Sequence, residues 1–175
     1  MAITLNVSYA PMSKQTDAYV IKNPNQVTNA FTITEASKAV DALKLEDQEK
    51  ITQLKDFLKN YDMTSISTDE LKIVGSKLYD EGMISRRAFG MFIEGDRASD
   101  ANGFQTNTHV KFNAIALFNE RLEDTRAFFE SEPAVARQDG AMDYLQGMIN
   151  ANHAINALAY FAKSANSDLS VREQA

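Results

Sequence analysis

The sequence predicts an all-α fold, a bundle of about five helices preceded by a flexible N-terminal arm, and three observations carry that reading. Apolar residues recur at spacings of three and four through most of the chain beyond residue 31. Thr32 with Glu35, and Ser67 with Glu70, have the spacing of capping boxes, and Ser85 stands ahead of another apolar run. The 175 residues are 44% hydrophobic and 24% charged, which suffices to bury a core without covalent staples.

Residues 1–30 read as the arm. They are rich in Ser, Thr, Asn and Gln and contain Pro11 and Pro24; only Ile3, Leu5, Val7 and Tyr9 alternate as a short strand would. Residues 31–163 read as one helical domain. A short first helix carries Ala36, Val40 and Leu43 behind the Thr32 cap. A second places Ile51, Leu54, Leu58 and Tyr61 on one face, with Glu46 and Lys50 paired on the other. Leu71, Val74 and Leu78 mark a third that stops at Gly82, and Ser85 caps a fourth bearing Phe89, Phe92 and Ile93. The turn between these two is Gly82-Met83-Ile84-Ser85, whose apolar centre is expected to plug the joint of a helical hairpin.

The stretch from Gly95 to Asn107 is the main internal break, with Asn102-Gly103 favouring a turn. Beyond it, Ile115, Phe118, Leu122 and Phe129 mark a long helix widened by Leu117 and Phe128. Pro133 suits the first turn of the helix that follows. In that last helix Ala141, Tyr144, Met148, Ala151, Ile155, Leu158 and Ala162 form the most regular stripe in the chain, while Ile149 and Tyr160 fall on another face. Residues 164–175 read as a polar tail.

Composition removes several chemistries. With no cysteine, disulfides, thiolate nucleophiles and cysteine-containing zinc sites are excluded. The net charge is −6, spread as +1 over residues 1–44 and negative in every later segment, which makes nucleic acid or an anionic membrane an improbable partner. Met1–Gln15 has neither a basic region nor an apolar run of signal-peptide length, and no 18-residue apolar stretch occurs. A cytoplasmic protein is therefore expected, with signal-independent export as the alternative.

Motifs that could carry chemistry are few. Ala98–Gly103 resembles the first half of an EF-hand calcium loop, with Asp100, Asn102 and Gly103 in place. The essential first and twelfth positions are Ala98 and His109, so an Asx-stabilised turn is expected instead. Residues 70–93 resemble a helix-turn-helix, with Arg86 and Arg87 opening the would-be recognition helix. The turn is one residue too long, and the helix offers mainly Phe, Met and Ile to base edges. His109 and His153 are the only histidines, and an antiparallel pairing of the last two long helices could bring His153 to Glu120 as the start of an acid–base or metal centre. Glu-x-x-His, phosphate-loop and nucleophile-elbow motifs are absent.

The function expected from sequence is a non-enzymatic helical interaction or oligomerisation module, without a cofactor or metal, that meets a protein partner or a second copy of itself. Its candidate contacts are Tyr144, Met148, Ile149, Ile155, Leu158 and Tyr160, because a helix apolar on more than one face is either central or shared. A DNA-binding regulator using Arg86 and Arg87, and a small enzyme or metal protein centred on His153 and Glu120, are the alternatives.

Overall fold

A computed structural model describes residues 14–173 of the chain. The protein is predominantly helical, with seven α-helices and one two-stranded ladder among these residues. In order they are α1 (Ala36–Ala42), α2 (Gln48–Leu58), β1 (Ile66–Ser67), α3 (Thr68–Asp80), α4 (Arg86–Glu94), β2 (Lys111–Phe112), α5 (Ala114–Ser131), α6 (Pro133–Ala136) and α7 (Ala141–Glu173). No described helix is long and apolar enough to cross a membrane.

Helix starts follow local chemistry. Ser67 accepts from the Glu70 amide at 3.2 Å while the Glu70 carboxylate accepts from the Ser67 amide at 2.8 Å, the reciprocal box the sequence announces. Ser85 caps α4 by accepting from Ala88 N at 3.2 Å. The box expected at Thr32 and Glu35 does not form. Thr32 Oγ1 instead accepts from Asn29 N in a turn, and Glu35 precedes α1 without a side-chain cap. Met83 and Ile84 are buried between α3 and α4 and plug the hairpin.

The centre of the molecule is α7, which packs against α1, α2, α4 and α5. Residues 154–158 are buried without a break, and five consecutive helical residues sweep more than a full turn, so over this stretch the helix is enclosed on every side. Three of the seven buried apolar residues from Met148 to Phe161 that line this centre are Ala151, Ala154 and Ala157, whose small side chains let four helices approach together. Pro133 starts the separate four-residue α6 rather than α7, and the backbone expected to fray after residue 163 stays helical to Glu173.

Residues 114–122 of α5 are likewise all buried, although α7 covers only one side. The other side is covered by the N-terminal segment: of the loose arm expected over residues 1–30, residues 14–26 are docked on the body, and residues 1–13 lie outside the described residues. Residues 14–26 cross the body without helix, bridged at Thr16 and turning at Asn23–Gln26, where Gln26 N donates to Asn23 O at 3.0 Å. Thr16 and Ser99 exchange backbone hydrogen bonds at 3.1 and 2.8 Å, and Tyr19 N donates to Asp96 O at 2.8 Å. Asn113, the N-cap of α5, gives both amide hydrogens to the carbonyls of Pro24 and Gln26 at 2.9 and 2.7 Å. The alternating stretch Ile3–Tyr9 lies outside the described residues. Beyond residue 122 α5 emerges from cover, leaving Phe128, expected in the buried face, half exposed.

One close approach fixes how α4 sits on α7. A Cβ built on Gly147 would lie 2.6 Å from Arg87 Cβ and 3.4 Å from the Arg87 carbonyl carbon. Replacing a mid-helix glycine by alanine normally gains up to about 1 kcal/mol. Here the clash is with the Arg87 Cβ, which cannot swing aside without moving the α4 backbone, and it should dominate: Gly147→Ala is expected to lose about 1–3 kcal/mol. A thermal or denaturant midpoint at or above wild type would show that α4 can shift away at little cost.

Candidate functional site

The candidate site is an open groove of about 1,090 Å³ between residues 27–34, the α2–β1 connection and the C-terminal half of α7. One wall comes from the N-terminal segment, where Val27 and Ile33 alternate with Thr28, Thr32 and Thr34. A turn at Asn29–Thr32, where Thr32 N donates to Asn29 O at 3.1 Å, bends this wall, which presents methyl groups and hydroxyls side by side. The facing wall is α7, where Asn156, Ala159, Tyr160 and Lys163 recur at helical spacing. Met63 and Ile115 lie between them, with Tyr61 and Thr64 at the end of the groove.

The polar groups are nearly all neutral. The one carboxylate in the lining, Asp62, is occupied locally: its Oδ1 accepts from Thr64 N at 2.8 Å and from the Thr64 hydroxyl at 2.7 Å. Asn156, 4% exposed, donates to Asn152 O at 2.9 Å, which fixes its side chain against α7. No histidine lines the groove. Its chemistry is that of apolar contact with oriented hydroxyl and amide groups.

The residues singled out from sequence fall in four places. Met148, Ile155 and Leu158 are in the core at 3%, 0% and 0% exposure, so the chain's own helices consume the stripe that suggested a shared interface. Tyr144 accepts from Arg97 Nη2 at 2.7 Å and closes a network at the end of α4. Ile149 is half buried against the core. Tyr160 alone of the six faces the groove.

Arg86 and Arg87 are exposed at the start of α4, but that helix is wedged between α3 and α7 by Ala88, Met91 and Phe92. Its outer face carries Phe89, stacked on Tyr79 with ring centroids 4.8 Å apart, and Ile93, neither of which can hydrogen-bond a base edge.

The pairing of His153 with Glu120 does not form. His153 is exposed, with its ring edge-to-face on Phe31 at 4.9 Å. Glu120 is 3% exposed and accepts from the backbone amides of Lys22 and Asn23, both at 2.7 Å. One turn along, Asp124 accepts from the Tyr19 hydroxyl at 2.6 Å and from Lys22 Nζ at 2.8 Å. These two carboxylates therefore hold the N-terminal segment in place. The hydrogen bonds from Lys22 and Tyr19 keep the Asp124 carboxyl below its ordinary range, while burial and the bond to Asp124 push the Tyr19 phenol up.

Asp100 Oδ1 accepts from the amides of Asn102 and Phe104, both at 2.9 Å, in the Asx turn expected for that loop. Among the described residues no three His, Asp or Glu side chains converge as metal ligands would. Comparison with known proteins gives no relative to reason from: no family model matches the chain, and no curated protein or solved structure is significantly similar to it.

Proposed function

We propose that this chain is a non-catalytic helical binding module whose groove takes a segment of a protein partner. The observation that carries the reading is the groove itself: it is open along its length, its volume is at the upper limit of the few hundred to about 1,000 Å³ usual for small-molecule pockets, and two half-buried tyrosines and four threonines offer neutral hydrogen bonding along an apolar floor. Tyrosine supplies large contact area at low entropic cost, and backbone amides and carbonyls of an incoming segment are the neutral partners such a surface fits. The apolar stripe of α7 is spent internally, so recognition falls to the groove, with Tyr160 as its central contact.

A photo-crosslinking amino acid placed at Tyr160 and, separately, at Thr32 tests this in the cells from which the sequence comes, with Met142, exposed at the other end of α7, as control. The same polypeptide adduct is expected from both groove positions and not from the control. Ala159→Arg sets an unpaired charge in the groove and should cut adduct yield at least tenfold, the loss that corresponds to about 1.4 kcal/mol. Adducts of equal yield from all three positions, or none, would defeat the proposal. An adduct at twice the chain mass would identify the partner as a second copy.

A further inference from the structure

We propose that α4, α5 and α7 enclose a binding site for a single ordered water molecule, bridging Arg121 Nε to Asn152 Oδ1. A cavity of about 10 Å³ lies where these three helices meet, lined by Met91 from α4, Phe118 and Arg121 from α5, and Met148, Ala151 and Asn152 from α7. Two polar atoms of its lining residues are buried without a hydrogen-bond partner: the Nε of Arg121 and the Oδ1 of Asn152, in side chains 4% and 1% exposed.

The other polar atoms of these two residues are committed. Arg121 Nη1 donates to Gly95 O at 3.1 Å, and Nη2 donates to Glu94 Oε2 at 2.6 Å. Asn152 Nδ2 donates to Phe118 O at 2.9 Å and to Met148 O at 3.1 Å. Those two carbonyl acceptors also fix which end of the amide is nitrogen, because a flipped Asn152 would set its oxygen against both of them. What remains is one N–H donor and one oxygen acceptor in the wall of the same cavity.

A water molecule accepts from the first and donates to the second, and few other ligands can. The volume is near the lower limit for one water, about 10–15 Å³ on this measure. Glu94 already balances the guanidinium charge, so the ligand is neutral rather than an anion. The remaining side chains of the lining offer thioether, phenyl and methyl groups, none of which competes strongly for the water's hydrogen bonds. Such a water completes the satisfaction of a buried arginine and adds a second tie between α5 and α7 beside the bond from Asn152 Nδ2 to Phe118 O.

Heteronuclear water-exchange spectroscopy on the 15N-labelled full chain reads the site directly. A long-lived water should give a negative-rotating-frame, positive-laboratory-frame cross-peak to Arg121 Hε, and a high-resolution crystal structure should place density within hydrogen-bond distance of both Nε and Oδ1. A dry cavity, or a direct Nε–Oδ1 bond with the cavity closed, would overturn the proposal. Asn152→Leu should remove one long-lived water from the oxygen-17 relaxation dispersion profile, and an unchanged count would equally sink it. Should that variant fail to fold, the wild-type spectrum and density decide alone.

Discussion

Glu94→Ala is expected to cost about 3 kcal/mol of unfolding free energy, near the lower end of what breaking a buried ion pair removes. The loss is felt at Arg121 rather than at Glu94. Arg121 is 4% exposed and its charge is met by Glu94 Oε2 at 2.6 Å, while the Glu94 side chain is 40% exposed and can be replaced in part by water. Arg97 shares the same carboxylate at 2.9 Å and passes on to Tyr144, so the pair anchors a network joining the end of α4 to α5 and α7.

A double-mutant cycle with Arg121→Met separates the terms. Removing both partners leaves no buried charge, and the double variant should be more stable than Glu94→Ala by about 1 kcal/mol or more. Strict additivity across the cycle would show that the guanidinium is hydrated when alone. The pH dependence has a definite sign. Burial alone would raise the Glu94 carboxyl, but the charges of Arg121 and Arg97 outweigh it and hold the group below its ordinary value. A depressed carboxylate contributes stability that is present above its unfolded pKa of about 4.3 and is lost as pH falls through the folded value. The gap between wild type and Glu94→Gln should therefore close in acid.

How much of this was legible in the sequence depends on whether an element is stabilised by near or distant neighbours. The α3–α4 hairpin was readable because its cap, stripe and apolar plug all lie within about thirty residues, and the same holds for the long α7. The segment 14–26 was not. Its anchors, Glu120 to the amides of Lys22 and Asn23, and Asn113 to Pro24 and Gln26, span nearly a hundred residues and use main-chain groups that every sequence possesses. A Ser/Asn/Pro-rich segment satisfied this way looks the same, in sequence, as one satisfied by water.

The groove was hidden for a similar reason, since four separate stretches of chain build it: Tyr61, Ile115 and Ala162 belong to three different stripes, and Tyr160 stands apart from that of its own helix. Asn152 and Asn156 did leave a trace. Two asparagines one turn apart among the alanines, Ile155 and Leu158 of this helix signal buried amides that return hydrogen bonds to backbone carbonyls. Reading that pair as buried would have pointed to an enclosed α7 and away from a shared interface through Ile155 and Leu158.

Glu120→Gln is expected to detach the N-terminal segment while leaving the helical core folded. The carboxylate accepts two main-chain hydrogen bonds at 2.7 Å in a site 3% exposed, and hydrogen bonds to a charged group contribute about 1.5–3 kcal/mol each. Glutamine keeps the shape but turns one acceptor into an NH2 facing an amide N–H, so the site holds two opposed donors. The chain can escape that conflict by releasing residues 14–26, which belong to no helix or sheet beyond a single bridge to Ser99. The total loss is thereby capped at the docking energy of the segment.

Hydrogen exchange distinguishes the outcomes. Amides of Tyr19, Lys22 and Asn23 should exchange about a hundredfold faster, corresponding to roughly 3 kcal/mol, while those of Ile155 and Leu158 keep their protection. Asp124→Asn should have a smaller effect, because its partner Lys22 is 63% exposed and surface ion pairs contribute at most about 1 kcal/mol. Equal acceleration at Ile155 and Lys22 would mean that the segment folds as part of the core. Unchanged exchange at Lys22 and Asn23 would remove Glu120 from its anchoring role. Since residues 27–34 continue from this segment into the groove wall, a selective release should also lower crosslinking from Thr32, which joins the anchoring carboxylate to the proposed recognition site in a single measurable chain of effects.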